Sequence, residues 1–383
     1  MKVLVLLAAC AVLPTQATEP EPVIVGHTIT VPSEILSQDR RVHIYLPEDY
    51  ETATGRRYPV IYAVGETRGF KEMAGMLDGL THYRPIMPPV ILVVLATVAE
   101  DGKQIPVYDM TPNSNADTIL RFVETELIPY IDKNYRTHPY RILEGGGLTA
   151  VFGLYTLMKR PGLFKAHVAA TPYLFRDDSA LITMASEFFK REQELPTFLY
   201  LSIDDERLRD YYDSFIEILE QQAPPTLDWH SVEFPGDRQP TVRPWVDAMY
   251  RLFKNQRLST DSTQFEDGAE SIYAYYRKLS TEKYGYPISA EIALHDRGLA
   301  YLEADQPDVA LRTFAFAVDK YPHSAMLYDG MARVLDKTGD LDAAISAQET
   351  AVSNAQAGRN YGDINGVNIY QGRLDELRAE AGS

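Results

Sequence analysis

The stretch that most constrains this fold is Arg141-Ile142-Leu143-Glu144-Gly145-Gly146-Gly147-Leu148-Thr149-Ala150, continued by Val151-Phe152-Gly153-Leu154-Tyr155. An apolar strand runs into three glycines, and a helical segment leaves them without a spacer. A reversal that tight demands backbone angles that glycine reaches at no steric cost. Strand, glycine turn and helix in direct succession belong to an α/β design, and the residues on either side test that reading.

They keep the alternation. His27-Thr28-Ile29-Thr30-Val31 and Arg41-Val42-His43-Ile44-Tyr45-Leu46-Pro47 read as strands, the second closed by its proline. Tyr58-Pro59-Val60-Ile61-Tyr62-Ala63-Val64 and Pro88-Pro89-Val90-Ile91-Leu92-Val93-Val94-Leu95 are continuous apolar runs, as strands buried on both faces require. Lys71 to Tyr83 reads as a helix. Asn115 to Tyr130 carries Ile119, Phe122, Val123, Leu127 and Ile128 at helical spacing. Tyr140 to Leu143 is the strand before the glycines, and Val151 to Met158 the helix after them. Phe164 to Ala170, Thr197 to Ile203 and Leu227 to Phe234 are further strands, with a helix over Asp205 to Gln222. The expected fold class is therefore α/β, a mostly parallel sheet flanked by helices.

At 383 residues the chain suits two domains, one of them large. A net charge of −17 argues against nucleic acid as a partner, since phosphate binding needs clustered Lys and Arg. Met1-Lys2, the apolar Val3 to Leu13 and Thr15-Gln16-Ala17 have the layout of a signal peptide over residues 1–17. Export to the periplasm or beyond is the reading this supports. Leu7-Ala8-Ala9-Cys10 also resembles a bacterial lipobox, with Cys10 the lipidated residue, although that leaves a very short apolar region. Cys10 is the only cysteine, so the folded part holds no disulfide and no thiolate metal ligand. No later run reaches the ~18 apolar residues of a transmembrane span.

The last third changes character. Gly298, Tyr301, Ala310, Phe314, Ala317 and Pro322 fall at the offsets of a tetratricopeptide repeat, a two-helix unit of about 34 residues. One period on stand Ala332, Leu335, Ala344, Gln348 and Ala351, and Gly339-Asp340 forms the turn of the second copy. Small residues at these places let neighbouring helices approach closely. The expected division is residues 18–255 for the α/β domain, 256–286 for a linker and helix, and 287–383 for the repeats with a capping helix. Leu258 to Asp267, polar throughout, is the linker proper.

Residues ~24 to ~255 resemble the putative-esterase family, the branch of α/β-hydrolases that includes the esterase D and enterochelin esterase types. The resemblance is carried by Arg41 to Pro47, Tyr58-Pro59-Val60-Ile61-Tyr62, Asp109-Met110-Thr111-Pro112, the whole run from Glu126 to Ile142, Arg160-Pro161-Gly162-Leu163-Phe164-Lys165 and Ala169-Ala170-Thr171-Pro172. It implies a G-x-S-x-G nucleophile elbow, and Gly145-Gly146-Gly147-Leu148-Thr149 stands in its register. The serine position is Gly147, which has no side chain. The family's histidine position, in Phe234-Pro235-Gly236-Asp237-Arg238-Gln239, is held by Gln239, an amide that accepts no proton near neutral pH. The acid would be one of Asp204, Asp205 and Glu206, which alternatively begin the next helix, where carboxylates favour the positive end of the dipole. Val64-Gly65-Glu66-Thr67 puts a negative charge where an oxyanion would need donors. His230 reads as a strand residue, not a displaced base, and neither Ser114 nor Ser202 lies in an elbow.

These substitutions imply an exported esterase-like protein that has lost hydrolysis and acts by binding. A peptide or protein partner in the helical groove and a small ligand in the vestigial pocket are both compatible. The alternative is an active serine hydrolase of small esters or siderophore-like lactones. No cofactor or metal is implied, because no HExxH, CxxC or phosphate-binding glycine loop occurs.

Overall fold

The computed structural model describes residues 22–65, 67–81, 86–97, 112, 115–236, 242–256, 268–357 and 363–382. Eight strands form one sheet: β1 (His27–Val31), β2 (Arg40–Tyr45), β3 (Tyr58–Gly65), β4 (Ile91–Ala96), β5 (Thr137–Gly146), β6 (Ala166–Ala170), β7 (Phe198–Ile203) and β8 (Asp228–Glu233). Their spatial order is β1-β2-β4-β3-β5-β6-β7-β8. The β1–β2 and β2–β4 pairs are antiparallel and every other pair is parallel. The continuous apolar runs of β3 and β4 take neighbouring central positions, where both faces need cover.

Helices supply that cover. One face holds α2 (Ala116–Phe122), α3 (Ile128–Asn134), α4 (Leu148–Lys159), α5 (Arg176–Arg191) and α6 (Arg209–Gln222), packed on Val60, Tyr62, Leu143 and Leu199. The other holds α1 (Thr67–Thr81) and α7 (Val242–Phe253), packed on Ile61, Ala63, Ile142 and Tyr200. The two-residue period of each strand thus divides its side chains between two cores. Glycine turn and helix follow β5 as expected, but the strand is longer and α4 begins at Leu148. Sequence reading finds neither α5 nor α7: left-handed angles at Asp177, Asp178 and Ser179 interrupt the first turn of α5, and Pro244 falls inside the first turn of α7.

The helix expected from Asn115 continues to Asn134 through a wider π turn at Val123–Leu127. Pro129 has no N–H to give, and the ladder shifts to Ile128 N–H donating to the Val123 carbonyl. Within that turn Glu126 accepts from the Ser33 hydroxyl at 2.5 Å and from the backbone N–H groups of Glu34 and Ile35 at 3.0 and 3.2 Å. One carboxylate therefore pins the loop between β1 and β2.

Beyond the sheet, α8 (Ala269–Lys278) runs through a π turn at Leu279–Lys283 and is followed by α9 (Glu291–Glu303), α10 (Pro307–Lys320), α11 (Ala325–Thr338), α12 (Leu341–Gln356) and α13 (Asp363–Ala381). Phe314 of α10 lies between Gly298 of α9 and Gly330 of α11. A Cβ on either glycine would come within 2.6 or 2.4 Å of its ring. Ala310, Ala317, Ala332, Ala344, Gln348 and Ala351 are all buried. The region is tied to the sheet domain by tyrosines: Tyr284 stacks on Phe253 at 6.0 Å and its hydroxyl donates to the Leu252 carbonyl at 2.7 Å. Tyr286 packs on His138 and Tyr140 and accepts from the Gln256 amide at 2.9 Å. The expected linker, 258–267, lies outside the described residues.

Candidate functional site at the carboxyl edge of the sheet

β5 ends in a turn whose apex is Gly147, with φ 60° and ψ −112°. The conformation is open to glycine and strained for any residue with a Cβ. Neighbouring strands hold it: Gly147 N–H donates to the Ala170 carbonyl at 2.9 Å, and Gly147 C=O accepts from Tyr173 N–H at 3.2 Å and Val151 N–H at 3.3 Å. Gly145 serves a different purpose. A Cβ there would lie 2.4 Å from the Thr149 carbonyl carbon, so its absence lets the first turn of α4 fold over the end of β5. Thr149 closes the turn, its hydroxyl accepting from Gly146 N–H at 2.9 Å and lying 3.0 Å from the Gly146 carbonyl.

Above the apex sits Tyr173. A Cβ on Gly147 would meet that ring at 3.1 to 3.5 Å. The space where a side chain at the apex would begin is thus roofed by an aromatic ring. Nothing in the sequence around residue 173 signals this, because the contact arises only when the loop after β6 crosses the end of β5.

Of the three candidate acids, the structure separates one from the others. Asp204 accepts from the Thr171 hydroxyl at 2.5 Å, linking the ends of β6 and β7. Thr171 adopts a left-handed φ of 45° to do so, and its N–H donates to the Ser202 carbonyl at 2.8 Å. Asp205 caps the short helix that follows, accepting from Arg207 N–H at 3.0 Å and from its guanidinium at 2.6 Å. Those bonds hold its carboxyl down at about 2. Glu206 pairs with Arg209, which also grips Glu233 at 2.7 Å. Asp205 and Glu206 thus start the helix, as carboxylates at its positive end would, and Asp204 turns toward the β6 loop. His230 lies within β8, 3.2 Å from Asp228 and against Phe198, and burial lowers its pKa. Ser202 is buried in β7. Gln239, Glu66 and Ser114 lie outside the described residues.

Two further features at this edge escaped sequence reading. Glu144 follows Ile142 on the face covered by α1 and α7, in register with Ala63 of β3 and Val168 of β6. It is largely removed from water, and that desolvation alone raises its carboxyl to about 7. The second is a strip of half-exposed rings. Tyr173, Phe175 and Tyr211 follow one another at centroid distances of 5.8 and 6.1 Å, each about 40 % exposed (38 %, 38 % and 40 %). Among the described residues, no group of three or more His, Cys, Asp or Glu side chains is arranged to hold a metal. No described helix is long and apolar enough to cross a membrane.

A parallel sheet with an antiparallel edge, helices on both faces and a glycine-built strand–turn–helix at its centre define an esterase-like α/β-hydrolase fold. Residues 33–226 match the family described as "Putative esterase", and the chain belongs to that family. An IroE-like serine hydrolase from Shewanella oneidensis is similar at 21% identity and a TM-score of 0.62, over 73% of this chain and 95% of that one. A protein described as uncharacterised, from Capnocytophaga ochracea DSM 7271, superposes at 17% identity and a TM-score of 0.62 over 92% of this chain and 99% of its own, so its fold extends to the helical region. The siderophore hydrolase EstA from Aspergillus nidulans matches at 15% identity and a TM-score of 0.51, over 63% of this chain and 97% of that one. A search of curated proteins found no match.

Proposed function

We propose that this chain is an esterase-fold protein that has given up hydrolysis and works by binding. The observation that carries the reading is Gly147 at the apex of the turn with the Tyr173 ring within 3.1 Å of where a side chain would start. Nucleophilic catalysis needs a hydroxyl at that point and a base beside it. Gly147 has none, and Gln239 at the family's histidine position titrates no proton. The ligand site is the carboxyl edge of the sheet, where α/β folds bind ligands as a rule. The helices from α9 onward, read as two tetratricopeptide-like units and a cap, offer a second surface for a peptide or protein partner. We also place the chain outside the cytoplasm, on its signal-like first 17 residues, with lipidation at Cys10 as the variant of that reading.

The names of the Shewanella and Aspergillus neighbours favour the alternative, an active serine hydrolase of small esters or siderophore-like lactones. One experiment separates the two. Purified protein is expected to leave p-nitrophenyl acetate unhydrolysed and to take up no fluorophosphonate probe. Gly147→Ser is expected to stay inactive, because the hydroxyl meets Tyr173 and finds no base; Gly147→Ser with Gln239→His is expected to recover a trace at most. Probe labelling of any serine in the unmutated protein refutes the loss of hydrolysis.

A further inference from the structure

Each edge of the sheet is a strand with one neighbour among the described residues, β1 at one side and β8 at the other. An open edge presents a row of unpaired backbone N–H and C=O groups, a template for any further strand. Folds guard such edges with charge, proline or a bulge. β8 is guarded: it begins with Asp228, held by Lys283 at 3.4 Å, and ends with Glu233, held by Arg209 at 2.7 Å. β1 has none of these devices. Its sequence, His27-Thr28-Ile29-Thr30-Val31, contains no Asp, Glu, Lys, Arg or Pro, and its five residues pair with β2 in unbroken register.

The approach to β1 is apolar as well. Val23, Ile24 and Val25 are 93, 77 and 41 % exposed, so three β-branched residues in succession face water. Such residues suit a paired strand and not a free surface. Pro22 to Ser33 contains no Asp, Glu, Lys or Arg, in a chain whose net charge is −17. Two copies of that chain repel at long range, and this segment is where they meet without opposing like charges. The order of residues then selects the partner. Thr28-Ile29-Thr30 reads the same in both directions. Turned by a two-fold axis at Ile29, β1 meets its own copy antiparallel, with Ile29 opposite Ile29 and Thr28 opposite Thr30 of the copy, twice over. Threonines directly opposite across an antiparallel pair are favourable, and a two-fold interface requires a patch that complements itself. We infer that β1 is a dimerisation edge, at which two copies of this chain pair antiparallel about Ile29 and join their sheets. The Val23–Val25 run of each copy then lies along the other's Ser33–Ile35 turn. This pairing is independent of whether the fold hydrolyses esters.

Sedimentation velocity of the purified chain tests it. A dimer in reversible equilibrium with monomer is expected, of micromolar affinity because the pairing is short. Its affinity is expected to rise with salt, which screens the like charge of the two copies. Thr28→Lys with Thr30→Lys, and Thr28→Glu with Thr30→Glu, each set like charges opposite one another. Each double variant is expected to weaken the dimer about tenfold. An equimolar mixture of the two is expected to recover a heterodimer, since lysine then faces glutamate. Thr28 gives up its bond to His43 in these variants, and thermal melts establish that each is folded. Ile24→Glu, at a largely exposed position, is a second variant free of that bond and is expected to weaken the dimer about threefold. A chain that stays monomeric at about 100 µM leaves the edge to a strand of another protein and overturns the inference. So does a dimer that tolerates both double variants and Ile24→Glu, a dimer that weakens with salt, or a mixture of folded double variants that fails to associate.

Discussion

At the scale of single residues, the three glycines of the turn do different work, and stability measurements separate them. Gly147→Ala keeps the left-handed φ and crowds Tyr173; urea unfolding is expected to show a loss of about 1–3 kcal/mol. Gly145→Ala drives a Cβ into the Thr149 backbone, which cannot swing aside as a ring can. A larger loss, about 3 kcal/mol or more, is expected there. Glu144 gives a prediction in pH. Its carboxyl is raised from 4.5 to about 7 in the folded chain, so the folded state retains a proton that the unfolded state releases between those values. The stability this provides is complete below pH 4.5 and is lost as pH rises through 7. Glu144→Gln is expected to unfold like the parent near pH 4.5 and to be more stable by about 2 kcal/mol at pH 8, allowing for its partial exposure. Parallel unfolding curves at both pH values would refute the buried, unpaired state of Glu144.

Elements show where pattern is a sufficient guide and where it is not. β3 and β4 are legible because continuous β-branched runs have few other uses, and α4 because it follows glycines at the end of a strand. The helical region repeats Gly298 and Phe314 as Ala332 and Gln348, and the physical meaning of that change appears only in packing. Phe314 fills the gap between two glycines, whereas Gln348 donates to Asp329 at 3.1 Å and to the Tyr370 carbonyl of α13 at 3.0 Å. Asp329 is itself buried and bonded to Arg333 at 2.8 Å. At this position the contact with α13 is therefore polar where the earlier one is apolar, although Leu377 of α13 still packs on Ala344 and Ala347. Phe314→Ala is expected to cost about 3–5 kcal/mol in chemical denaturation. Gly330→Ala is expected to destabilise despite alanine's better helix propensity, because its Cβ enters the space of the Phe314 ring.

For the whole molecule, the attachment of the helices determines what each end is free to do. Tyr284 and Tyr286 pack against His138, Tyr140 and Phe253, which lie at the start of β5 and the end of α7. Gly147 lies at the opposite end of the same strand. The helical region is thus fixed to the edge away from the candidate site. Tyr284→Ala with Tyr286→Ala removes two buried aromatic anchors and the hydrogen bonds to Leu252 and Gln256. Calorimetry of that variant is expected to resolve two unfolding transitions where the parent shows one. A single unchanged transition would show that the tyrosines do not couple the two parts.

By itself the sequence determined the class of fold, because alternating apolar runs, a glycine turn and helical spacing are local patterns that few architectures satisfy. It also determined the chemistry missing at the apex, since a glycine at position 147 has no hydroxyl in any conformation. Only the tertiary structure decided what surrounds that apex. Tyr173 reaches Gly147 across two strands, Asp204 is singled out from Asp205 and Glu206 by a threonine 33 residues earlier, and Glu144 has an altered proton affinity because of what surrounds it. Each is a contact between segments distant in the chain or a consequence of burial, and neither leaves a periodic trace in sequence.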